Sequence, residues 1–156
     1  TYNYGALGGG VIAITVTESA TIAGTIAVKG GDGDQRGWNI CDDGAGGGGS
    51  GGTALLRTPL LTFGASAIIT ANGGKGGKGG SSCGYGGGGG GGGGGRIKIK
   101  VTAQTVFNGI TYSDTSSFLS IASANITASG GAGGDAGGAG SEPGQPGQNG
   151  TVAPLE

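Results

Sequence analysis

Residues 86–95 are ten consecutive glycines, and glycine-rich runs recur on either side, as GGKGGKGG from Gly73 and GGAGGDAGGAG from Gly130. Such segments offer no side chains to a core, and glycine loses more backbone freedom on ordering than any other residue. If they are ordered, backbone hydrogen bonds and close backbone approach must hold them. Glycine accounts for 45 of 156 residues, about four times the usual share. The lack of a strict three-residue period throughout and a total of 4 prolines exclude collagen. A charged fraction of 11% and a net charge of -1 are unlike a disordered chain. The apolar residues, mostly Ile, Val, Ala and Leu, come in short bursts between the glycines. That segregation predicts small β-elements carrying long glycine arms.

The bursts repeat. Gly10, Gly52, Gly95 and Gly150 each end a glycine-rich stretch, at spacings of 42, 43 and 55 residues. VIAITV, TALLRT, RIKIKV and TVAP follow them. Period-two alternation aligns Ile12, Ala54, Ile97 and Val152, and then Ile14, Leu56, Ile99 and Pro154. Thr58 interrupts the apolar pattern in the second copy. A second burst in each copy ends at a glycine pair, which aligns Ile26, Ile69 and Ile126. The expected fold is therefore all-β: a short β-solenoid-like stack of about three repeats (10–52, 53–95 and 96–150) forming one domain, with residues 151–156 starting a fourth coil. A β-sandwich with glycine-rich loops is the alternative. The extra residues of the third copy, around Asn108 to Ser120, are expected to form a side loop or strand pair. Helix is not expected, because Thr, Val, Ile and Gly dominate.

The arms, about 30–52, 73–95 and 130–150, exceed the length of ordinary loops. Three-residue spacing would put Lys75, Lys78 and Ser81 on one edge of an extended helix and glycine on the other two. Each arm is expected to be a hairpin of two such legs, the six packing as polyglycine-II helices. The turns are placed near Asn39 to Asp43, Cys83 to Tyr85 and Ser141 to Pro143. Cys41 and Cys83 then fall near adjacent tips. A disulfide between them would staple neighbouring hairpins and imply an oxidising, secreted or cell-surface setting; free thiols or bonds between molecules are the alternatives.

Few residues suggest chemistry. The chain has no histidine, so the usual general base near neutrality is missing. No cofactor motif is present, and GGGGRIK lacks the Lys-Ser/Thr ending of a phosphate loop. Asp32, Asp34, Asp42 and Asp43 could offer oxygen ligands to calcium, but solvated charges are the favoured reading and no metal is expected. Eight basic residues against nine acidic ones give no field for nucleic acid. No stretch is long enough to span a bilayer. Asn125 and Asn149 stand in glycosylation acceptor patterns, the first inside an expected strand. Trp38 and Tyr85 beside the tips, with Lys75 and Lys78 on the leg, are the candidate surface contacts. No enzyme activity and no cofactor are expected.

No polar cap is evident at either end of the stack, so head-to-tail association into a filament or surface layer is expected. GGKGGKGG, the ten-glycine run and strand starts such as GRIKIKV resemble the polyglycine sandwich of phage tail-fibre adhesins. They are also similar to glycine-rich repeats of mycobacterial surface proteins and to the springtail antifreeze fold. The resemblance implies extracellular structural or binding roles, with a glycan or cell-surface receptor as the adhesin's partner. The chain departs from the adhesins in lacking several aromatic-rich tip loops, and from the antifreeze fold in having β-segments between the arms. A self-assembling structural subunit is therefore the first expectation, an adhesin the alternative and ice binding a minor one.

Overall fold

The computed structural model describes residues 4–34, 44–81 and 86–156. The first repeat supplies β1 (Val11–Thr15), β2 (Ser19–Ile22) and β3 (Thr25–Ala27), and the second β4 (Thr53–Phe63) and β5 (Ile68–Thr70). The third supplies β6 (Arg96–Phe107), β7 (Ile110–Tyr112), α1 (Thr115–Ile121), a 3-10 turn (Ala122–Ala124) and β8 (Ile126–Thr127), and β9 (Thr151–Pro154) follows. One sheet runs β1-β4-β6-β7, with β2 also on β4 and β9 also on β6; the other runs β3-β5-β8.

All pairings are parallel except β6 with β7. Their register joins Ile12 to Ala54, Ile97 and Val152, and Ile14 to Leu56, Ile99 and Pro154. In the second sheet Ile26 meets Ile69 and then Ile126. Because side chains alternate across a strand, these positions face inward together, and Leu56, Ile69, Ile97, Ile99 and Ile126 are buried. Thr58 keeps its inward place because its hydroxyl donates to the carbonyl of Leu60. The register shift between Thr58 and Leu60 accommodates Pro59, which could not donate within a regular central strand.

The expectation of an all-β, solenoid-like stack with polyglycine-II arms is overturned. The chain combines two parallel sheets with a helix, and flanks them with extended glycine legs. The expected side loop or strand pair is a hairpin followed by that helix. Asn108 and Gly109 adopt φ of 51° and 76°, the left-handed pair that a tight hairpin between β6 and β7 requires. Asp114 then caps α1 by accepting the N–H of Ser117 at 2.7 Å. This hydrogen bond holds the Asp114 carboxyl below its ordinary pKa. Propensity misleads here because burial decides: Phe118 and Leu119 on α1 and Ala122 after it are all buried. Phe118 meets Phe63 and Phe107 edge-on at ring separations of 5.5 and 6.0 Å, with Tyr112 at 6.5 Å. The Thr115 hydroxyl accepts the N–H of Val101 at 3.2 Å and donates to its carbonyl at 3.4 Å, tying α1 to β6.

Candidate interaction surfaces

The glycine segments form two layers of extended legs. Residues 30–34, 73–81 and 130–137 lead away from the sheets; 44–52, 86–95 and 142–150 return. Residues 4–10, part of the opening TYNYGALGGG that the sequence lets either cover one end or add to a neighbouring copy, are a further leg in the returning layer: Ala6 and Gly9 donate to Gly47 and Ser50, and Leu7 accepts from Gly31.

The hydrogen bonding has a period of three. Gly88 donates to Glu142 in its own layer at 2.9 Å, and Gly89 donates across to Gly77 at 2.9 Å. Gly90 is exposed. The cycle repeats as Gly91 to Gln145 and Gly92 to Gly74, at 2.8 and 2.9 Å. Bonds within a layer join parallel legs and those between layers join antiparallel ones. Two of every three amides are thus satisfied by neighbouring backbone, as burial demands.

Side chains are admitted only at the third position. On the second outgoing leg Lys75, Lys78 and Ser81 are exposed, whereas Gly74, Gly76, Gly77, Gly79 and Gly80 are buried. Lys75 Nζ lies 3.8 Å from Asp135 on the next leg, an exposed pair that contributes little stability. Asp32 accepts the backbone N–H of Lys75 at 2.7 Å. The opposite layer presents Gly47, Gly90 and Gly93 at its third positions, a face almost without side chains, bordered by exposed Glu142, Gln145 and Gln148.

Trp38, Tyr85, Cys41 and Cys83, together with Asp42 and Asp43, lie outside the described residues, as do the first two expected turns. The third turn comes slightly earlier than expected, with Ser141 bonded back to Gly138 and Gly140 at φ 90°. Among the described residues no group of three His, Cys, Asp or Glu is placed to hold a metal, and no helix is long and apolar enough to cross a membrane. The Asn125 side chain donates to the carbonyls of Ala65 and Ala67 at 3.2 and 2.9 Å, so its amide serves the interior.

The two ends of the stack differ. The expectation that neither is capped is corrected at the C-terminal end, where α1 packs over β6 and β9. Prolines complete the closure. In the returning layer the donors to the next leg are Ala45, Gly48 and Gly51, then Gly88, Gly91 and Gly94. The same places on the last leg hold Pro143, Pro146 and Asn149. Two of them have no N–H, and Asn149 uses its side-chain carbonyl to accept the N–H of Gly130 at 3.0 Å. Thr151 and Leu155 donate to Gly95 and Ile99 on β6, so alternation points the backbone nitrogen of residue 154 to the open sheet edge, and that residue too is proline. The three-residue spacing of Pro143 and Pro146 was the visible signal for this closure. No family model, curated protein or solved structure matches the chain.

Proposed function

We propose that this chain is a non-catalytic extracellular display module, whose glycine legs hold turns away from the sheets for contact with a glycan or cell-surface receptor. The observation carrying this reading is that cross-leg hydrogen bonds continue far along each hairpin. Gly46 still donates to Asp34, Gly89 to Gly77 and Gly144 to Gly134. Backbone pairing at that distance fixes the direction in which each described leg runs, which a mobile tether would not do. Absence of histidine weighs against general acid–base catalysis at neutral pH.

The head-to-tail filament ranks below this reading, since the proline-bearing face would have to donate to the next subunit. A secreted location and a Cys41–Cys83 disulfide belong to the same proposal. Its test is binding of the labelled protein to a glycan array and to intact cells of several types. Saturable binding, weakened at least tenfold by Trp38→Ala or Tyr85→Ala with the fold retained, supports the module. Binding that neither change affects, or none to any surface, overturns it.

A further inference from the structure

We infer that the N-terminal face of the stack is a docking surface for one further parallel polypeptide layer, comprising a β-strand segment and a glycine leg with free N–H groups at every third residue. The surface repeats a geometry the molecule already uses internally. Gly47 and Ser50 accept from the leg before them, as do Gly87 and Gly90. The corresponding carbonyls of Gly5 and Gly8 have no donor among the described residues. In the outgoing layer Asn72 and Lys75 accept from Gly30 and Gly33, and the carbonyls of Lys29 and Asp32 occupy the same positions one layer earlier, with no donor there.

The adjoining sheet edge has the same character. Thr53 donates to Gly10, and Val16 donates to Arg57. Alternation therefore points the N–H groups of Val11, Ala13 and Thr15 away from β4, to the open edge. Tyr4, Leu7 and Val11 are 71%, 86% and 73% exposed. Between β1, β2 and β3 lies a groove lined by Ile14, Val16, Ile22 and Ile26. Ile14 and Ile26 are only partly buried, whereas their partners Leu56 and Ile69 in the next layer are 4% and 2% exposed. The first layer thus has the inward ladder and lacks the layer that covers it elsewhere.

The occupant is not the C-terminal face of a second copy. Proline at residues 143, 146 and 154 removes donors from its returning leg and its strand, and α1 overlies its core, leaving Gly133 and Ala136 of the outgoing leg with N–H groups that have no acceptor among the described residues. Complementarity instead requires an uncapped face of the same glycine-and-strand pattern. This inference does not rest on the proposed binding role of the hairpin turns.

The test is a chimera in which residues 53–85 are repeated ahead of Thr1, supplying a strand segment and an outgoing leg whose return is the native leg 4–10. Amide exchange of Val11, Ala13 and Thr15 is compared with that in the parent chain. The inference predicts exchange slowed at least tenfold at all three, protection within the added segment, and one cooperative unfolding transition. Unchanged rates, or an added segment that exchanges freely, would overturn it. A second variant separates edge pairing from any general effect of the added segment: Ala13→Pro removes one N–H at the open edge and leaves the β1–β4 ladder intact. The inference predicts that Val11 and Thr15 of the chimera then exchange as fast as in the parent chain, while the same change in the parent chain leaves stability within about 0.5 kcal/mol; protection that persists in the chimera counts against it.

Discussion

Alanine at Gly89 and alanine at Gly90 should have opposite consequences, although the two positions adjoin in a run of identical residues. A Cβ on Gly89 would overlap the carbonyl oxygen of Gly46, lie 2.7 Å from its carbon and 3.1 Å from the nitrogen of Gly77. All three are backbone atoms and cannot swing aside. Relief requires the legs to separate, at the expense of the bonds Gly89 to Gly77, Gly77 to Gly46 and Gly134 to Gly89, at 2.9, 2.9 and 2.8 Å. At roughly 0.5–1.5 kcal/mol each these three contribute about 2–4 kcal/mol, and overpacking adds about 1–3 kcal/mol. A Cβ on Gly90 meets only the carbonyl of Gln145, at 3.7 Å. Positive φ among the described glycines is confined to Gly109 and Gly140, so alanine at 90 is unstrained and should stabilise by about 0.4–1 kcal/mol by restricting the unfolded chain. Equilibrium urea denaturation of both variants measures the contrast. Losses equal within about 0.5 kcal/mol would refute the account, because a flexible glycine tether cannot distinguish neighbouring positions.

Phe118→Ala should destabilise by about 3–5 kcal/mol in the same assay, because its fully buried ring touches three other aromatic rings. Thr105→Val should leave stability unchanged or raise it by about 1 kcal/mol, since the buried Thr105 hydroxyl has no hydrogen-bond partner and valine preserves its shape. The folded-state pKa of Asp114 is depressed by the N–H of Ser117, so its stabilising effect is present above the ordinary carboxylate range and is lost as pH falls through the folded value. Near-ultraviolet circular dichroism of the Tyr112–Phe118 region should therefore weaken on acidification, and Asp114→Asn should reduce that pH dependence.

The inward ladders could be read from the sequence because a two-residue period marks one face of a strand whatever it packs against. Ile12, Ala54, Ile97 and Val152 are in one register for that reason. The exposed edge of Lys75, Lys78 and Ser81 was legible because a bundle of bare backbones leaves room for a side chain only at every third residue. The helix was not legible. Ser, Thr and Ile are weak helix formers, and α1 depends on a ring that reaches Phe63 and Phe107 from another part of the chain. Asn108-Gly109 and the cap Asp114 were local signs of a hairpin and a helix start, but their meaning required the aromatic cluster. The role of the prolines was hidden because a missing N–H matters only once the direction of every other donor is known. The opening residues 4–10 were legible only as a segment that covers one end or adds to a neighbouring copy, because their partners as a leg, Gly47, Ser50 and Gly31, are set by tertiary packing.

Residue-resolved hydrogen exchange across the ten-glycine run tests the central claim most directly. If bare backbones are held by one another, Gly88, Gly89, Gly91, Gly92, Gly94 and Gly95 are protected, while Gly90 and Gly93 exchange near the rate of an open chain. Uniform exchange along the run, whether fast or slow, would contradict the three-residue bonding pattern on which the account depends.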